Sequence, residues 1–129
     1  MAQIKIYGLK QQLNPIKAKL SDVIHGCVVD ALQFPVDKRA HRFFPLETDD
    51  FYYPAGRTDQ YLIIEINMIE GRTVETKKRL IKLLMERIHE QLGVPLQDVE
   101  VVIYEAPKAN WGFRGKTGDE VEINYKIEV

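Results

Sequence analysis

The chain has 129 residues, of which 45% are hydrophobic and 29% are charged, a composition typical of one soluble domain with its own core. Its formal net charge of -1 excludes a strong overall field, so we expect no broad binding to nucleic acid or to anionic membranes. The single cysteine, Cys27, excludes an intrachain disulfide framework and a thiolate metal cluster.

Several functional motifs are missing from the sequence. No apolar run approaches the length of a membrane span, and residues 1–8 lack the hydrophobic stretch of a signal peptide, so we expect a cytoplasmic protein. There is no phosphate-binding loop, no local Ser-His-Asp arrangement and no paired metal signature. We therefore expect no cofactor and no metal ion.

The first half of the chain has the periodicity of a strand, a helix and a second strand. Asn14 followed by Pro15 is typical of a helix N-cap with proline at the first helical position, and Phe34-Pro35 ends the apolar helical pattern. The predicted strand, helix, strand and polar loop cover residues 3–7, 14–34, 41–47 and 48–60.

The second half repeats this order and adds a loop and a final strand. Thr73 is predicted to cap a helix that ends at Gly93. In residues 121–129, apolar and polar side chains alternate without a break, which predicts a strand held by a sheet of this chain or of a neighbouring subunit. The predicted strand, helix, strand, loop and final strand cover residues 61–69, 73–93, 99–105, 109–120 and 121–129.

An offset of 60 residues brings the two halves into register. Ile4 then matches Ile64, and Leu20 matches Leu80. The turn prolines also match, Pro35 with Pro95. We interpret the chain as one domain, residues 1–129, made of two βαβ repeats at about 1–60 and 61–129. The alternative is that any two βαβ units match loosely at apolar positions.

Two βαβ units joined in one sheet predict an α/β protein, specifically an α+β two-layer sandwich. It has a four-stranded mixed sheet with two helices on one face, plus short extra strands. The strands are too apolar to leave the other face in water, since only Glu65 is charged in residues 61–66. We therefore expect a symmetric oligomer.

This architecture, together with four sequence words, resembles the tautomerase superfamily with its MIF-like fold. The words are HRFFPLE, FYYPAGRTDQY, EINMIEGRTVETKKRLIKLL and NWGFRGKTGDE. They are similar to those of the fused-repeat subgroup related to malonate semialdehyde decarboxylase. The resemblance covers essentially the whole chain. It implies a homotrimer and a keto-enol tautomerase or decarboxylase-like enzyme acting on a small oxo carboxylic acid.

The resemblance implies an amino-terminal proline as the catalyst, and this chain departs from it with Ala2. Removal of Met1 exposes Ala2 as a primary α-amine, whose reference pKa of about 7.7–8.0 suits proton transfer near neutral pH. Ala2 is therefore the candidate catalytic base. Retention of Met1 would move the amine one residue away.

The resemblance also assigns roles to four other residues. Arg72 matches an arginine that binds the substrate carboxylate, although the second arginine of that clamp is Glu70 here. Asp37 matches an aspartate that assists proton or water chemistry. Trp111 and Phe113 match an aromatic pocket wall. The alternatives are an ion pair for Arg72, a turn for Asp37 and a subunit interface for the aromatic pair.

Arg39, His41 and Arg42 are candidates to replace the missing positive charge at the substrate site. Alternation along residues 38–44 sends Arg39 and His41 to one face and Arg42 to the other, so only one set can face a cavity. The alternative is that these side chains are exposed charges on the surface.

Three functions stay open from the sequence. The first is a tautomerase-type enzyme, with a decarboxylase variant. The second is a catalytically inactive relative that binds a small anionic metabolite in the same pocket. The third is an oligomeric scaffold. The sequence does not name the substrate or the pathway.

Overall fold

The computed structural model describes residues 2–129. A mixed four-stranded sheet has the order β2-β1-β3-β4. The strands are β1 (Ala2–Leu9), β2 (His41–Leu46), β3 (Leu62–Ile69) and β4 (Val99–Ala106). β1 is parallel to β2 and β3 is parallel to β4, whereas β1 and β3 are antiparallel, with Ala2 opposite Met68. A separate two-stranded hairpin follows β4, formed by β5 (Gly112–Phe113) and β6 (Lys116–Thr117).

Three helices connect the strands. They are α1 (Lys10–Leu13), α2 (Lys17–Leu32) and α3 (Val74–Leu92). Within residues 2–129, none of them is long and apolar enough to cross a membrane.

The helix predicted to begin at Asn14-Pro15 begins instead at Lys17, so this detail of the prediction is wrong. Its N-cap is Ile16, which makes no side-chain capping bond. Asn14 ends the short α1, and its N–H donates to the carbonyl of Lys10 at 3.1 Å. The extra turn carries Leu13 into the core, where it is fully buried. Burial of a leucine side chain contributes about 2 kcal/mol, more than a typical N-cap bond of about 1 kcal/mol.

The predicted ends of α3 are confirmed. The hydroxyl of Thr73 accepts a hydrogen bond from the N–H of Thr76 at 3.2 Å, and Glu75 lies in the first turn near the positive end of the helix dipole. Gly93 follows the helix with a φ of 71°, in the left-handed region where glycine has no steric cost.

Both long helices pack on one face of the sheet. Alternate side chains of β1 and β3 and the apolar stripes of α2 and α3 form one continuous core. Its fully buried members include Ile4, Ile6, Leu20, Ile24, Ile64, Ile66, Leu80 and Leu84. The predicted α+β two-layer sandwich of two βαβ units is confirmed. The division of the domain near residue 60 stays an interpretation.

The opposite sheet face is partly apolar. Tyr7 stacks on Phe44 with their ring centroids 4.7 Å apart, and Val102 and Tyr104 on the edge strand β4 are exposed. Near the end of β1, the loop before β3 covers this face with a small cluster of Leu9, Phe51 and Tyr61. The open part of the face therefore lies toward β4.

The last nine residues, 121–129, form an extended segment that we call the C-terminal arm. The arm joins neither sheet of this chain, so a strand in the chain's own sheet is wrong, whereas a strand paired with a neighbouring subunit stays a prediction. Its alternation is real, since Ile127 is buried at 3% exposure while Lys126 and Glu128 are exposed. The Thr73 N–H donates to the Val129 carbonyl at 3.0 Å. Side-chain burial, the ring contact of Tyr125 with Phe34 and this backbone bond contribute to holding the arm, which forms no sheet ladder within the described chain.

His41 lies at the start of β2 in a buried polar cluster beneath the α2–β2 connection. Its Nδ1 is 2.8 Å from the hydroxyl of Ser21, and its ring meets the ring of His25 edge-on at 6.1 Å. Burial, then the positive charge of Arg39, then His25 lower the pKa of His41 to about 4. The imidazole is therefore neutral at pH 7.

The buried contact of Ile127 predicts that the arm contributes to stability. Ile127→Ala should lower the free energy of unfolding by about 2–4 kcal/mol, because it empties a buried site. Lys126→Ala, at an exposed neighbouring position, is the control and should change it by less than about 0.5 kcal/mol. Urea denaturation measures both. Equal stability of the two variants would mean that the arm is not docked.

The lowered pKa of His41 predicts a loss of stability in acid. Below pH 6.5 the unfolded chain takes up this proton first, so stability falls as the pH drops from about 6.5 to about 4. His41→Gln should remove up to about 3 kcal/mol of the difference between the unfolding free energies at pH 7 and pH 4. If the unfolding free energies of the wild type and His41→Gln changed with pH in the same way, His41 would not be the source of the acid sensitivity.

Candidate functional site

A cavity of about 430 Å³ opens at the end of the sheet where β1 begins, and we call it the amino-terminal cavity. Four segments supply its walls: the start of β1, the α2–β2 connection, the β5–β6 hairpin and the C-terminal arm. The lining residues are Ala2, Phe34, Asp37, Lys38, Arg39, Ala40, Phe113, Arg114 and Tyr125. The cavity thus brings together four of the candidate residues from the sequence, Ala2, Asp37, Arg39 and Phe113.

The α2–β2 connection supplies an aromatic floor and a charged rim. Phe34 is buried directly after α2, and a turn closed by the Lys38 N–H and the Pro35 carbonyl at 3.2 Å follows it. Asp37 lies on this turn and is exposed. Arg39 donates to a carboxylate oxygen of Asp22 at 2.7 Å, so its charge is already paired.

The β5–β6 hairpin supplies Phe113 and Arg114. Phe113 pairs with Lys116, which leaves Arg114 and Gly115 as a two-residue loop. Both loop residues have positive φ, 54° and 74°, as a type I′ turn requires. An arginine at the first loop position costs about 1 kcal/mol relative to glycine. The guanidinium of Arg114 lies 5.3 Å from the centre of the Phe113 ring, where a cation is attracted to the ring face.

The C-terminal arm supplies Tyr125. Its ring meets the ring of Phe34 edge-on, with the centroids 5.0 Å apart. Burial raises the pKa of the Tyr125 phenol, so the group is protonated and neutral at pH 7. Phe34, Phe113 and Tyr125 together give the cavity an aromatic lining drawn from three separate segments.

Arg72 lies at the same end of the sheet but does not line the cavity. It follows β3, whose Met68 pairs with Ala2, and it is buried at 5% exposure. Its Nη1 donates to the Ile69 carbonyl at 3.0 Å, while Nε and Nη2 have no hydrogen-bond partner among residues 2–129. Burial lowers the pKa of Arg72, and Tyr125 of the arm is the first of the groups that act against this shift.

Three other candidate residues also lie outside the cavity lining. Trp111 is half-buried in the turn before β5, where its indole N–H donates to the Ala106 carbonyl at 3.3 Å. His41 lies beside Ser21 and His25 beneath the α2–β2 connection. Arg42 is exposed on the sheet face opposite the helices, in register with Lys5.

Five lining residues were not candidates from the sequence: Phe34, Lys38, Ala40, Arg114 and Tyr125. Phe34 and Tyr125 have the pattern of ordinary core residues. Arg114 carried one usable signal, because Arg-Gly between Phe113 and Lys116 is an unusual pair for a two-residue hairpin loop.

A second cavity of about 400 Å³ lies at the other end of β1. Its polar groups satisfy one another, since Lys10 is 3.4 Å from a carboxylate oxygen of Glu47 and Gln12 donates to Asp59 at 3.1 Å. The amino-terminal cavity differs because it has three cationic side chains, one carboxylate and an aromatic lining. That combination suits a small anion with an apolar portion.

Among residues 2–129, no three His, Cys, Asp or Glu side chains are grouped closely enough to hold a metal ion. The side chains that line the amino-terminal cavity can bind an anion and can take part in proton transfer.

Comparison with known proteins identifies several relatives. The family described as "Tautomerase enzyme" matches residues 38–114. Probable tautomerase YusQ of Bacillus subtilis (strain 168) is 29% identical over 109 residues, which cover 81% of this chain and 86% of that protein. A 2-hydroxymuconate tautomerase of Pseudomonas putida is 42% identical over 57 residues, which cover 44% of this chain and 90% of the relative. That relative is thus about as long as one βαβ unit of this chain.

Solved structures share the fold. A fused 4-OT that forms an asymmetric trimer is 27% identical, with a TM-score of 0.80, over 91% of this chain and 96% of that one. A malonate semialdehyde decarboxylase inhibited by 3-bromopropiolate is 26% identical, with a TM-score of 0.78, over 86% of this chain and 88% of that one. Because the family match covers more than half of its residues, the chain belongs to the tautomerase superfamily.

Proposed function

We propose that the amino-terminal cavity is a tautomerase-type active site that interconverts the keto and enol forms of a small 2-oxo carboxylate. The observation that carries this proposal is the meeting of Ala2, cationic side chains and an aromatic lining in one cavity. A base removes a proton from the carbon next to the carbonyl, and the carbonyl oxygen gains a proton as the enol forms. The reverse sequence regenerates the keto acid.

Ala2 is the proposed base after removal of Met1, which lies outside the described residues. Its α-amine then belongs to a residue that is 5% exposed and lines the cavity. Burial and nearby cations both favour the neutral form of an amine, which is the form that accepts a proton. An α-amine with a reference pKa of about 7.7–8.0 thus becomes a more effective base near pH 7.

The remaining candidate residues have supporting roles in this proposal. Phe113 contacts the apolar part of the substrate, and Trp111 supports the hairpin that carries Phe113. Arg72 adds a buried positive charge behind Tyr125 that favours an anionic substrate and the developing enolate. His41 and Arg42 act from outside the cavity, His41 by supporting the α2–β2 connection and Arg42 through its charge.

Decarboxylation is a second candidate reaction, favoured by the position of Asp37 on the cavity rim. The carbon–carbon bond to the carboxylate breaks, carbon dioxide leaves and the resulting carbanion takes a proton from Asp37 or from water that Asp37 orients. If this reaction occurs, the wild type should release carbon dioxide from malonate semialdehyde and Asp37→Asn should not. Tautomerisation releases no carbon dioxide.

If the α-amine of residue 2 is the base, a proline at this position should increase the activity. Ala2→Pro, with Met1 removed, should raise kcat/KM for phenylenolpyruvate about tenfold or more, because a conformationally fixed secondary amine replaces a mobile primary amine. Ultraviolet loss of the enol measures the rate, and mass spectrometry establishes the first residue. A two-residue amino-terminal extension is the control and should abolish the rate. Equal rates in all three proteins would exclude the amine as the base, and the cavity would then act as a binding site without chemistry.

The proposed assembly is a homotrimer, supported by the fused relatives and by exposed Val102 and Tyr104 on the edge strand β4. The wild type should therefore have about three times the 15.0 kDa chain mass by analytical ultracentrifugation. Tyr104→Glu should shift it toward monomer, because a buried unpaired charge is costly at an interface. Leu96→Lys is the control, since Leu96 is equally exposed but lies at the α3–β4 connection. A monomeric wild type would contradict the trimer.

A further inference from the structure

We propose that Arg114 binds the carboxylate of the ligand in the amino-terminal cavity and thereby selects a 2-oxo acid with an aromatic or other apolar substituent. This inference rests on the proposed function and adds to it the residue that orients the ligand. The argument depends on the turn that carries Arg114, on the partners of the other cations and on the neighbouring aromatic rings.

The turn holds Arg114 in a backbone conformation that does not favour arginine. At a φ of 54°, the first position of a type I′ loop is best occupied by asparagine, aspartate or glycine. Arginine gives the turn no compensating backbone bond, so its presence points to a use for the side chain. Arg114 lines the cavity, so the turn places this residue where its guanidinium can reach a ligand bound there.

The other cations at this end of the sheet are less available. Arg39 is already engaged by Asp22 at 2.7 Å. Arg72 is buried, donates to the Ile69 carbonyl and does not line the cavity. Arg114 forms no ion pair with an acidic side chain among residues 2–129 and lines the cavity directly.

Lys38 is the remaining cation, and its chemistry differs. An ammonium group is a compact, strongly hydrated point charge, whereas a guanidinium presents a planar fork that matches both oxygens of a carboxylate. Arg114 is therefore better suited than Lys38 to fix the orientation of a ligand.

The aromatic neighbours of Arg114 decide which acid fits. Its guanidinium lies 5.3 Å from the centre of the Phe113 ring, and Phe34 and Tyr125 form an edge-on pair in the same lining. A ligand with its carboxylate on Arg114 has these rings available for an apolar substituent. Small, fully polar dicarboxylates would place a second charge against them and should bind more weakly.

Arg114→Asn tests this assignment without straining the turn. Asparagine tolerates a positive φ, so the variant should fold with an unchanged or higher melting temperature while losing the charge. Isothermal titration should show that its Kd for phenylpyruvate rises at least tenfold. Phenylacetone, in which an uncharged methyl group replaces the carboxylate, should bind the variant and the wild type equally. The Kd of Arg114→Lys for phenylpyruvate should lie between those of the wild type and Arg114→Asn. If the enzyme is active, Arg114→Asn should raise KM more than it lowers kcat.

Lys116→Gln is the matched control, because Lys116 lies on β6 of the same hairpin and does not line the cavity. Its affinity for phenylpyruvate should be that of the wild type. Unchanged phenylpyruvate affinity in Arg114→Asn, with a large loss in Arg72→Gln, would overturn the assignment and leave the proposed function intact. Failure of the wild type to bind or convert phenylpyruvate would overturn both.

Discussion

The antiparallel pairing of β1 with β3 decides which parts of the chain can meet in a functional site. It places the start of β1 beside the end of β3, so Ala2 lies opposite Met68 and near the connection that carries Arg72. The parallel pairing of β1 with β2 returns the α2–β2 connection to the same end, where the Ile4 N–H donates to the Ala40 carbonyl at 2.9 Å. A one-residue slip in either register would send Ile4 and Ile6 to the wrong face.

Because β1 and β3 are antiparallel, the start of β3 lies at the opposite end of the sheet, in a position equivalent to the start of β1. The loop before β3 closes this position. There β3 begins directly after a loop, so the second βαβ unit has no free amine at its start. The loop fills the space with its own bonds: the Tyr61 hydroxyl donates to Glu100 at 2.5 Å, Arg57 pairs with Glu100 at 3.1 Å, and the Thr58 N–H donates to buried Asp98 at 2.8 Å. Burial, then the bond to Glu100, raise the pKa of Tyr61 to about 12, so it remains a hydrogen-bond donor. The chain therefore leaves the start of β1 open and fills the start of β3.

Periodicity was sufficient to predict the sheet and the long helices, because their side chains bury on one face at regular spacing. It was insufficient where two local interactions compete, as at Asn14-Pro15, where burial of Leu13 displaced the start of α2. The alternation in the C-terminal arm identified Tyr125 and Ile127 as inward-facing residues. It could not distinguish a sheet strand from an extended arm, since the two differ only in their backbone partners.

The candidate site was less predictable because its walls come from segments far apart in the sequence. Ala2, Asp37 and Phe113 followed from the resemblance to a known family. Arg72 occupies the position that the resemblance predicts, but only the structure shows that it is buried and outside the cavity lining. The two-residue strands β5 and β6 are too short to give a period, so the turn that presents Arg114 was not recognisable by pattern.

The proposed chemistry and the proposed ligand contact depend on one electrostatic arrangement. Arg114 lines the cavity and meets solvent, whereas Arg72 is desolvated behind the arm. An anionic ligand gains from both charges, but only the accessible arginine can change its contacts when the ligand arrives. The buried charge of Arg72 acts at longer range. Like burial, it would lower the pKa of an amine at Ala2. In the proposed mechanism, burial and these cations both favour the neutral, proton-accepting form of an amine at Ala2.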